Sequence, residues 1–92
     1  MSDRIERIIL RNLFYNEDFT RKALPFIKSE FFTNHNESTL FGEINEFVNK
    51  YKNLPTKETI LVELNKRKDL KEEELSEIKT IVNKLDNQEV EL

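Results

Sequence analysis

An all-α bundle of about five to six short helices is the fold that this sequence predicts. Three observations carry the expectation. The 92 residues include one Gly and two Pro, too few for an all-β chain, whose hairpins need special backbone angles at every turn. Apolar residues recur at intervals of three and four, the period of a helix with one buried face. Hydrophobic and charged residues are nearly balanced, at 37% and 36%, so the apolar ones must gather on narrow faces inside a charged surface. The length allows a single domain, which should hide roughly 65% of the surface of its unfolded chain.

A first helix is expected from Ser2 or Asp3, where Asp3 and Glu6 have capping-box spacing, to about Phe14, with Ile5, Ile8, Ile9 and Leu13 on its core face. Asn16 then offers a cap for a second helix through Phe19, Ala23, Leu24 and Ile27, which Pro25 must end or kink. Ser29 to Phe32 reads as one helical turn, and Thr33 to Glu37 as a polar loop holding His35. The clearest helix follows. Leu40, Phe41, Ile44, Phe47, Val48 and Tyr51 line one side, opposite Glu43, Glu46, Asn49 and Lys50. The break Asn53-Leu54-Pro55-Thr56 stops it, and Thr56 caps a helix bearing Ile60, Leu61 and Leu64. Lys66, Arg67 and Lys68 suit that helix's C-terminal dipole. After Asp69, a last helix carries Leu75, Ile78, Ile81, Val82 and Leu85, with Glu72, Glu73 and Glu74 favourably placed in its first turn. Residues 1–85 are thus expected to form the domain and 86–92 a polar tail or the start of a linker.

All nine aromatic residues lie in the first 51 positions, which places the bulky core there. With 15 basic and 18 acidic residues the net charge is -3, so no strong direct nucleic-acid binding is expected. The absence of Cys excludes disulfides, thiolate metal sites and cysteine nucleophiles, and fits a reducing cytosol. No apolar run approaches the roughly 20 residues that span a bilayer, so no membrane association is expected.

No catalytic, cofactor-binding or metal-ligating set emerges. A phosphate-cradling loop needs several glycines, and Gly42 stands alone inside the clearest helix. His35 is the one imidazole, and among Thr33, Asn34 and Asn36 it reads as an exposed loop or capping residue. A helix-turn-helix reading of the last two helices fails on charge, since the stretch from Lys71 to Leu85 holds more acids than bases. What remains are candidate partner contacts. Arg4, Arg7 and Arg11 form one stripe of the first helix at i, i+3 and i+7, a small cationic surface whose simplest alternative is a solvated face paired with Asp3 and Glu6. Phe31 and Phe32 are adjacent on a single turn and cannot easily both point inward, so one of them is a candidate exposed contact.

The order Ile8-Ile9-Leu10-Arg11-Asn12-Leu13, Asp18-Phe19, Leu24-Pro25-Phe26-Ile27, Ser29-Glu30-Phe31-Phe32, Leu40-Phe41-Gly42-Glu43-Ile44, Val48-Asn49-Lys50-Tyr51, Leu54-Pro55-Thr56 and Glu63-Leu64 resembles the opening of DnaB-type replicative helicases, in particular the T-even phage version. The likeness covers about residues 5–85. It implies a non-catalytic N-terminal collar domain of a hexameric, ATP-driven helicase working in the cytoplasm of an infected bacterium, with helicase protomers, a primase and a helicase loader as partners. The motor of that family is a separate C-terminal domain, no part of which is present in these residues. The chain also stops before the helical hairpin that pairs such domains, which implies a truncated or separately encoded fragment, monomeric in isolation, and no cofactor. A different class of function fits the acidic, compact composition: a stand-alone phage regulator that binds and inhibits a basic or nucleic-acid-binding host protein.

Overall fold

The computed structural model describes residues 3–85, with side chains from Ile5 onward. Among them are five α-helices and no strand: α1 (Asp3–Tyr15), α2 (Glu17–Ala23), α3 (His35–Tyr51), α4 (Lys57–Lys66) and α5 (Glu72–Lys84). Two single 3₁₀ turns, Leu24–Phe26 and Ser29–Phe31, bridge α2 to α3. The fold is therefore the all-α bundle that composition and periodicity predict. The expected tail, 86–92, and the Ser2 start and Asp3 cap of the first helix lie outside what is described.

Local chemistry explains where the helices begin and end. The Asn16 side chain accepts from Phe19 N at 3.0 Å and opens α2, while Pro25, lacking an N–H, ends it at Ala23 and leaves a 3₁₀ turn in place of a longer helix. Thr56 and Thr59 exchange reciprocal bonds of 3.0 and 3.1 Å, the capping box that starts α4. At α5 the Lys71 N–H donates to Glu74 Oε1 at 3.1 Å. One boundary differs from expectation: of the stretch Thr33 to Glu37 only Thr33 and Asn34 lie outside a helix, and His35 to Glu37 are the first turn of α3. Asn34 accepts from the N–H groups of Asn36 and Glu37 at 2.8 and 3.0 Å, so α3 begins at His35 and is a full turn longer than its apolar pattern indicates.

α3 is the axis of the bundle, packed against α1, the second 3₁₀ turn, α4 and α5. Leu40, Phe41 and Ile44 meet Leu10, Leu13 and Phe14 from α1, Ile60 and Leu64 from α4, and Ile78, Ile81, Val82 and Leu85 from the end of α5. Phe32 stacks on Phe41 with ring centroids 5.3 Å apart. Phe47 is half-buried and Tyr51 exposed, so the aromatic end of α3 contributes less to the core than its spacing implies.

The core face of α1 is also rotated from the expected one. Leu10, Leu13 and Phe14 are buried, Ile9 is partly buried, and Ile5 and Ile8 point outward at 61% and 39% exposure. α1 is apolar on two adjoining sides, and the side with Leu10, Leu13 and Phe14 offers the larger apolar area to hide.

Candidate interaction surface

α1 brings most of the predicted contact residues together, in a different arrangement from the one expected. Arg4 has no described side chain. Arg7 is not a free cation, because its Nε donates to the buried Glu37 carboxylate at the start of α3. Arg11 is half-buried. Outside this stripe, Ile5 and Ile8 stand one turn apart, and Tyr15 follows Ile8 after two further turns on the same side. The exposed face of α1 is thus apolar at its centre with arginine beside it. Sequence periodicity assigned those isoleucines to the core; what would have found them is the second apolar side of the helix.

The two neighbouring phenylalanines divide. Phe32 is 5% exposed and belongs to the core through Phe41, which removes it from the candidate contacts. Phe31 is 51% exposed on the second 3₁₀ turn. Phe26, on the first 3₁₀ turn, is also exposed and was not anticipated. Sequence spacing does not carry that information, since the turn that exposes Phe26 is created by Pro25.

Behind this surface, two carboxylate clusters hold α3 to its neighbours. At its start, Glu37 is 1% exposed and Glu6 of α1 is 5% exposed. Glu37 Oε2 accepts from Arg7, and Glu6 Oε2 lies 3.5 Å from the Thr33 N–H and 3.4 Å from its hydroxyl. Burial pushes the Glu37 carboxyl above the ordinary range; the Arg7 hydrogen bond opposes that, and the Glu6 carboxyl beside it adds to it. Two turns on, Glu43 is buried where a polar outer face was expected. Arg67, beyond the end of α4, donates from Nη1 to Glu43 at 3.1 Å, and from Nε and Nη2 to the Asp69 carboxylate at 3.1 and 2.7 Å. Its role is therefore to tie the α4–α5 connection to α3 rather than to complement a helix dipole. Burial raises Glu43 against the pull of Arg67, the same guanidinium holds Asp69 below the usual carboxylate range, and the Asp69 hydrogen bonds raise Arg67.

No protein-family model, curated protein or solved structure matches this chain. The remaining predicted residue, His35, sits exposed in the first turn of α3 with Nε2 3.5 Å from Glu74 of α5. Among the described residues no three of His, Asp or Glu stand close enough to hold a metal ion, and no helix is long and apolar enough to cross a membrane.

Proposed function

We propose that this chain is a non-catalytic assembly and docking domain, the N-terminal collar of a phage hexameric replicative helicase, which helps the ring form and receives primase or loader at the replication fork. The observation that carries the reading is the outward face of α1, where Ile5, Ile8 and Tyr15 are exposed on one side of a helix whose opposite side is fully used by the core. A helix that spends apolar side chains on both faces has a second surface to cover. The order of motifs from Ile8 to Leu64 supports the assignment of that surface to the helicase collar. ATP hydrolysis and strand separation then belong to a motor domain elsewhere in the parent protein.

Docking is tested by titrating the labelled domain with the cognate primase and loader. Binding in the micromolar range or tighter, lost in Ile8→Glu while the denaturation midpoint is retained, is the expected result. An unchanged signal with both partners rejects the docking role. Assembly is tested on a chain extended by the expected helical hairpin, which should self-associate; a monomer at every accessible concentration rejects that half. The regulator reading would instead be favoured by capture of one basic host protein through the same face with no response to primase or loader.

A further inference from the structure

We propose that Glu6 and Glu37 together form a proton-binding site, in which one proton shared between the two carboxyl groups locks the first turns of α1 onto the start of α3. Both side chains are more than nine-tenths buried, and each uses only one oxygen: the Oε2 atoms take Arg7 and Thr33, whereas Glu6 Oε1 and Glu37 Oε1 are buried with no hydrogen-bond partner. Two orphaned acceptors in neighbouring carboxyls are costly, because neither carboxylate can donate to the other. Charge presents the same deficit. Among the described residues two carboxylates face one guanidinium, so these three groups together carry one excess negative charge away from water. A single proton removes both faults, since it neutralises the excess charge and turns one orphaned oxygen into a donor for the other. Like-charged carboxyls forced together in a dry site share protons for this reason, and their titration belongs to the pair rather than to either residue.

Among the described residues no second cation is recorded acting on Glu37. The charged groups acting on Glu37 are Arg7 and Glu6, both from α1. From α5, Glu74 approaches His35 and Glu77 accepts from Asn36, both in exposed contacts. In the second 3₁₀ turn Glu30 is exposed, and Arg67 and Glu63 act on α3 at Glu43. The start of the α3 dipole favours negative charge at Glu37, which leaves the pair with one charge and one proton rather than two protons.

The sign of the linkage follows. The folded chain keeps a proton that ordinary unfolded glutamates have released, so stability is greatest at the acid end of the range and falls as pH rises through the pair's own titration. One linked proton changes the folding equilibrium constant by up to about tenfold per pH unit. The test is urea denaturation of the full chain from about pH 5 to about pH 8, for wild type, Glu6→Gln and Glu37→Gln. An amide N–H can stand where the shared proton stood. The expected result is a wild-type midpoint that falls with pH, a flatter profile in both amide variants, and a Glu6→Gln midpoint above wild type at the alkaline end. Glu43 contributes equally to all three chains and cancels in the comparison. Parallel profiles, as a buried water bridging two charged carboxylates would produce, overturn the proposal, and so does a Glu6→Gln chain that is less stable than wild type throughout or fails to fold.

Discussion

Two buried glutamates on one helix, Glu37 and Glu43, face the same problem and meet it differently. Glu43 is met by Arg67, whose second carboxylate partner, Asp69, sits in open water. Glu37 is met by Arg7, but its second neighbour, Glu6, is buried as well. Each cluster has two acids and one arginine. What separates them is where the extra negative charge can be solvated: at Asp69 water does it, and at Glu6 the described residues offer only Thr33, to one of the two oxygens. An ion cluster is therefore not characterised by its charge count alone, and the access of each member to solvent decides where the excess charge can rest.

Four substitutions probe that contrast. Phe41→Ala, on α3 between the two clusters, should cost about 3–5 kcal/mol in denaturant melts, as truncation of a buried ring does, and sets the ceiling for the polar effects. A loss under about 1 kcal/mol would move the core away from α3. Arg7→Met comes next. It leaves two buried carboxyls without a cation and should cost about 2–3 kcal/mol at neutral pH, shrinking towards pH 5 as protonation replaces the lost partner; a pH-independent loss would mean that the guanidinium matters only for packing. Glu43→Gln should cost about 0.5–1 kcal/mol by weakening the charge-assisted bond from Arg67, opposite in sign to Glu6→Gln. Equal signs at the two positions would erase the difference between the two clusters. The smallest effect is a gain. Nothing lies within 4 Å of a Cβ built on Gly42, so Gly42→Ala should stabilise α3 by about 0.5–1 kcal/mol, read as a higher thermal midpoint.

Much of this architecture is legible in the residues. Asn16, Pro25, Pro55 and Thr56 punctuate the chain by local chemistry, and local chemistry is what sequence displays. α5 is legible throughout because its apolar residues leave one face to bury and its acids sit in the first turn. Asn34 was legible in principle, since Asn at the cap with Glu37 three residues later marks a helix start, but the polar run from Thr33 to Glu37 resembles a loop. The orientation of α1 was not legible, because with isoleucines and leucines on adjoining sides two registers satisfy the same period. The buried acids were least accessible of all. Glu6 and Glu37 lie far apart in sequence, each on a helix where a glutamate is ordinary, and only packing reveals that they meet. The candidate surface shows the same division: the arginine stripe was visible as spacing, whereas the engagement of Arg7 and the exposure of Ile5 and Ile8 are tertiary facts.

Carbon-detected NMR titration of the side-chain carboxyls, on chain labelled at glutamate and assigned through the Glu6→Gln and Glu37→Gln variants, tests the contrast most directly. A shared proton predicts that Glu37 titrates above the ordinary glutamate range in the wild-type chain and that its step moves down in Glu6→Gln, where an amide N–H donates in place of the proton. A Glu37 step within the ordinary range in the wild-type chain, or one that Glu6→Gln leaves where it was, would contradict it.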